Sequence, residues 1–125
     1  MFMDLQEQLE RHQTVSNHLA DRHGSGERLD AFLLARPLLC ELGAWLHNDA
    51  AAQYKYPALL RQAVDRHNEF HRAASDVAKA INVRRADVPR MLAPGSPYVI
   101  ALNGLEMTLR RLLRSGTTAH IDTFR

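Results

Sequence analysis

Residues 57–82 read PALLRQAVDRHNEFHRAASDVAKAIN, and their spacing decides the fold. Leu60, Val64, His67, His71, Ala74, Ala78 and Ile81 recur in steps of three and four, the signature of one buried stripe on a long α-helix. His67 and His71 lie within that stripe. Four residues advance about 400° around a helix, so the two imidazoles sit one turn apart on one face and can grip a single cation. Hydrogen-bonded core histidines are the plain alternative, and this segment alone leaves both readings open.

The same periodicity runs through the rest of the 125 residues. A first helix is expected over about 3–23, with Leu5, Leu9, His12, Val15 and Leu19 on its inner face and Gly-Ser-Gly at 24–26 to end it. A second helical region covers about 29–48, where Pro37 either breaks the helix or begins its main part, one turn before Cys40. After the helix at 57–82, RRADVPRMLAPGSP reads as a short helix or turn between proline and glycine stops. A last helix starts near Pro97 and carries Val99, Leu102, Leu105, Leu109 and Leu112 inward. No alternating strand pattern appears, and Asn103-Gly104 lies inside helical periodicity. The expected class is all-α: an antiparallel four-helix bundle with an additional short helix or turn before the last long helix. One domain over 1–116 followed by a polar tail at 117–125 is the expected organisation.

Composition narrows the function classes. Hydrophobic residues make up 46% and charged residues 24%, so neither disorder nor a fibrous repeat is expected. Sixteen basic against fourteen acidic residues give a net charge of +2, and only Arg84-Arg85 and Arg110-Arg111 cluster. Without aromatic platforms or a recognisable binding module, nucleic acid is not an expected partner. The start MFMDLQEQLER lacks a signal peptide's basic and apolar regions, and no window holds eighteen apolar residues, so a cytoplasmic location away from the membrane is expected. The lone Cys40 cannot form an internal disulfide and suits a reducing compartment, where its thiol is free for metal or redox chemistry.

If the helices pack together, His12, Cys40, His67 and His71 can converge from three of them. Three imidazoles and one thiolate suit tetrahedral zinc, which accepts nitrogen and sulfur and has no geometric preference of its own. Di-iron bundles need Glu-x-x-His pairs, which this chain does not contain. His18, His23 and His120 read as surface residues. His47 follows Cys40 by seven residues, nearly on the same face, and is an alternative to His12.

Taken together, His12 with Leu19, CELGAWL at 40–46, HNEFH at 67–71 and the ending SPYVIALNGLEMTLRRL resemble the chemoreceptor zinc-binding (CZB) domain family over nearly the whole chain. The resemblance implies His12, Cys40, His67 and His71 as the zinc ligands, with Gly43 and Trp45 as structural residues. Ala44 stands where the family commonly has lysine, and Val15 where an aromatic residue often follows the first histidine; neither departure removes a ligand. The resemblance further implies a cytoplasmic regulatory module, typically a homodimer, serving chemoreceptors or diguanylate cyclases. A zinc shell filled by four protein ligands has no open position for water, so an enzyme is not expected. Sensing of oxidants through zinc-bound Cys40 is the main alternative, followed by a purely structural zinc staple.

Overall fold

The computed structural model describes residues 3–123, with side chains described except at 53 and 116–123. Every regular element among these residues is helical: α1 (Leu5–Ser25), α2 (Ala31–Leu34), a 3-10 turn (Pro37–Leu39), α3 (Glu41–Asn48), α4 (Ala50–Gln53), α5 (Pro57–Asn82), α6 (Val88–Met91) and α7 (Pro97–Thr123). The all-α expectation is therefore met.

Local chemistry explains the boundaries. Asp4 caps α1 by accepting the Glu7 amide at 3.0 Å, and Gly26, at φ 75°, closes it with its own N–H on the Arg22 carbonyl. The helix thus runs two residues past the expected stop at 23. Pro57 occupies the first turn of α5, where its missing N–H costs nothing. Beyond α5, Arg84 adopts φ 57° and the Arg85 amide reaches back to the Ala80 carbonyl at 2.9 Å. A side chain in this left-handed position is unusual, since glycine normally fills it.

The region 29–48 is not one helix. Asp30 caps the single turn of α2 by accepting the Leu33 amide at 3.1 Å. Arg36, the residue before Pro37, is held out of the helical region at φ −111° and ψ 86°. Pro37 then opens a 3-10 turn, and α3 starts only after Cys40. Pro37 accordingly breaks the region rather than opening its main helix. The short α4 was not foreseen in the sequence. α6 fills the expected short helix, and α7 includes residues 117–123 of the segment read as a polar tail.

A single cluster of buried side chains fills the space among the long elements. Leu5, Leu9 and Leu19 come from α1, Leu42, Trp45 and Leu46 from α3, Phe70, Ala74 and Val77 from α5, and Leu105, Leu109 and Leu112 from α7. α5 packs most extensively on α7 along one side and receives α1, α2 and α3 on others. Trp45 is 4% exposed and lies edge-on to Tyr54 at 5.7 Å between ring centroids. Its Nε1 has no hydrogen-bond partner among the described residues. Tyr98 on α7 and Ser16 on α1 share a hydroxyl hydrogen bond of 2.9 Å that joins the two helices. No helix among the described residues is long and apolar enough to cross a membrane.

Candidate metal centre

The inner stripe of α1 carries His12 to the same depth as Leu9 and Leu19, and the stripe of α5 does the same for His67 and His71. His12, His67 and His71 are buried, whereas Cys40, at the N-terminal boundary of α3, is half-buried. The three imidazoles and the thiol meet: their ligand atoms all lie within 4.8 Å of one another. All four residues expected from the sequence are thus brought together. His47, the alternative to His12, is exposed and outside the group, as are the exposed His18 and His23. The His120 side chain lies outside those described.

Two backbone carbonyls orient the rings. His12 Nδ1 lies 2.7 Å from the Gln8 carbonyl, and His71 Nδ1 lies 2.9 Å from the Leu34 carbonyl. A carbonyl can only accept, so each Nδ1 carries the proton and donates it. Each Nε2 therefore points a lone pair into the cluster when the ring is neutral. His67 Nε2 stands 3.3 Å from His12 Nε2 and 3.0 Å from His71 Nε2, and Cys40 Sγ stands 3.5 Å from His12 Nε2.

Burial favours the uncharged rings. Desolvation, reinforced by the neighbouring His71 and His12, pushes His67 down from its ordinary value to about 2. Desolvation also lowers His12, against the opposing hydrogen bond to Gln8, and lowers His71, against its hydrogen bond to Leu34. Neutral imidazole is the ligand form.

A proton on His67 Nε2 faces two acceptors, and the Cys40 thiol is the only other donor within this group. Protons can thus join these atoms only in pairs, whereas one cation can serve all four. For zinc, bonds of about 2.0–2.1 Å to nitrogen and about 2.3 Å to sulfur at tetrahedral angles give N···N edges of about 3.3 Å and N···S edges of about 3.5 Å. The His12–His67 and His12–Cys40 separations fall on these values, the His67–His71 separation of 3.0 Å is slightly shorter, and all pairs lie within 4.8 Å, so the donor set fits such an ion after small side-chain shifts.

Gly43 makes the approach feasible. A Cβ at this position would overlap the Pro37 carbonyl oxygen and lie 2.9 Å from His67 Cε1. The 3-10 turn, α3 and the His67 ring come together where a side chain is missing. Gln8 and Leu34, whose carbonyls orient His12 and His71, are the contributors that sequence reasoning missed. Side-chain patterns give no signal for a backbone acceptor.

Comparison of the chain with family models, with curated proteins and with solved structures gives no match.

Proposed function

We propose that this chain is a zinc-binding regulatory domain of the CZB type, folded as a four-helix bundle over residues 1–116 whose last helix runs on into the C-terminal segment. His12, Cys40, His67 and His71 hold the ion. One observation carries the reading: three imidazole nitrogens and a thiol converge, while backbone carbonyls take the outer protons of two of the rings. Zinc fits this donor set best because nitrogen and thiolate sulfur select against hard oxygen-seeking cations such as magnesium and calcium.

When bound, zinc supplies a cross-link and no open coordination position, so the proposed role is sensory rather than enzymatic. The chain's own residues do the coupling. His12 belongs to α1, Cys40 to the boundary of α3, and His67 and His71 to α5, so occupancy favours one relative arrangement of three elements. In this reading the domain works in the cytoplasm as a homodimer, without nucleic acid or membrane as partner. It passes zinc occupancy to a signalling protein or domain of a chemotaxis or cyclic-di-GMP pathway.

Elemental analysis of protein purified without chelator tests the proposal. One zinc per chain is expected, falling to trace amounts in Cys40→Ala and His71→Ala; a metal-free wild-type protein overturns it. The half-buried position of Cys40 favours a second reading, in which the Cys40 thiolate would attack hypochlorite, be oxidised to sulfenic acid with release of chloride, and so lose its hold on the ion. Zinc retained after hypochlorite treatment rejects that version.

A further inference from the structure

Residues 29–39 form a strap that runs back along α5 in descending register. Asn82 holds its start twice: Oδ1 accepts the Leu29 amide at 2.7 Å and Nδ2 donates to the Leu29 carbonyl at 2.8 Å. Ser75 Oγ donates to the Ala31 carbonyl at 2.9 Å, and His71 Nδ1 donates to the Leu34 carbonyl at 2.9 Å. The Pro37 carbonyl then rests on Gly43 beside the His67 ring, three residues before Cys40. From Asn82 to His67 the strap follows about 22 Å of helix at 1.5 Å per residue.

The manner of attachment sets the strap apart. Between Ala31 and Leu39 no side chain is fully buried: Ala31 and Leu34 are half-buried against the core, and Phe32, Leu33, Leu38 and Leu39 are all more than half exposed. The elements on either side differ, since α1 inserts Leu5, Leu9 and Leu19 into the core and α3 inserts Leu42, Trp45 and Leu46. Segments with few buried apolar contacts open locally long before the molecule unfolds. Gly24 and Gly26 precede the strap, and its far end reaches the one ligand that is not fully buried.

We propose that residues 29–39 are the gate through which the ion is exchanged, so that the opening rate of the strap sets the rate of metal transfer. The proposal rests on the zinc reading and concerns its regulation. Opening withdraws the Leu34 carbonyl from His71 and uncovers the Cys40 side of the cluster. A small chelating or thiol-bearing acceptor then reaches the ion while α1, α3 and α5 remain packed. Asn82 and Ser75 ligate nothing; they are positioning residues that hold the gate shut.

The test is transfer of zinc from the loaded full chain to excess 4-(2-pyridylazo)resorcinol, followed by absorbance. Ser75→Ala, which removes one hydrogen bond, speeds transfer about three- to tenfold, the factor that one bond's net contribution gives, and Asn82→Ala, which removes two, speeds it by at least as much. Amide exchange at Leu33, Leu34 and Ala35 accelerates by a similar factor. Leu109→Ala, which weakens the core beneath α7 and spares the strap, leaves transfer within about twofold of wild type. Should Asn82→Ala fail to fold, Ala35→Gly loosens the exposed strap without touching a ligand and carries the same expectation. Zinc-loaded variants that all transfer at the wild-type rate, or a Leu109→Ala chain as fast as the strap variants, overturn the gate alone. A wild-type chain that holds no zinc overturns the metal reading and the gate with it.

Discussion

Gly43 shows how much of the centre depends on one absent methyl group. Its Cα sits where the Pro37 carbonyl and the His67 ring press from two sides, both belonging to segments that carry or adjoin ligands. In Gly43→Ala, backbone stands in the way of the new carbon, so the 3-10 turn must retreat and the His67 ring must turn. Forced overpacking of this kind costs about 1–3 kcal/mol. Reduced stability in urea is expected together with weaker zinc retention in competition against a chelator. Unchanged retention in a destabilised protein would show that the turn moves without dragging Cys40 or His67. The glycine was legible in the sequence as a packing residue, but only through the resemblance; its contact with a ligand ring depends on how α3 crosses α5.

At the scale of elements, the α1–α5 contact is where three neutral imidazoles are buried together. In the metal-free protein this makes stability depend on acidity with a definite sign. Well above pH 6.5 the histidines are neutral in both folded and unfolded chains, and they add no pH dependence. Below 6.5 the unfolded chain takes up protons that the folded chain refuses, because burial holds His12, His67 and His71 below their ordinary values. Stability is therefore lost as pH falls from about 6.5, by about 1.4 kcal/mol per pH unit for each histidine that stays neutral; for His67 the loss continues toward pH 2. Urea titrations of metal-free protein between pH 7 and pH 5 check this, and His12→Gln or His67→Gln should flatten the slope. The helices that create this contact were legible because apolar residues at intervals of three and four determine both the element and its inward face. Val15 and Val64 were expected in those stripes, yet both are only half-buried, at the margins of the faces. The strap was illegible for the opposite reason. Phe32, Leu33, Leu38 and Leu39 have the composition of a core helix but lie exposed, and the bonds that place the strap run from Asn82, Ser75 and His71 to main-chain carbonyls and an amide.

For the whole molecule, a metal held by residues of α1, α5 and the α3 boundary, as proposed, would tie occupancy to global stability. A ligand present at about a thousand times its dissociation constant adds about 4 kcal/mol to the folded state. For a chain of this size that corresponds to roughly 15 °C in Tm. Thermal unfolding with and without a strong chelator should show this difference in the wild-type protein and lose it in Cys40→Ala. Equal midpoints in the wild type would mean that the four residues form a hydrogen-bonded cluster without a role in holding the ion.

The lone tryptophan gives the molecule a built-in optical probe. Trp45 lies on α3 five residues after Cys40, buried against the edge of Tyr54, with an indole N–H that has no partner among the described residues. Red-edge excitation selects this ring over the tyrosines, so its emission colour and quenching by iodide report the solvation of α3 alone, without a label. Short-wavelength, quencher-resistant emission that persists while zinc is withdrawn would mark a molecule whose α3 stays packed in the core throughout the exchange.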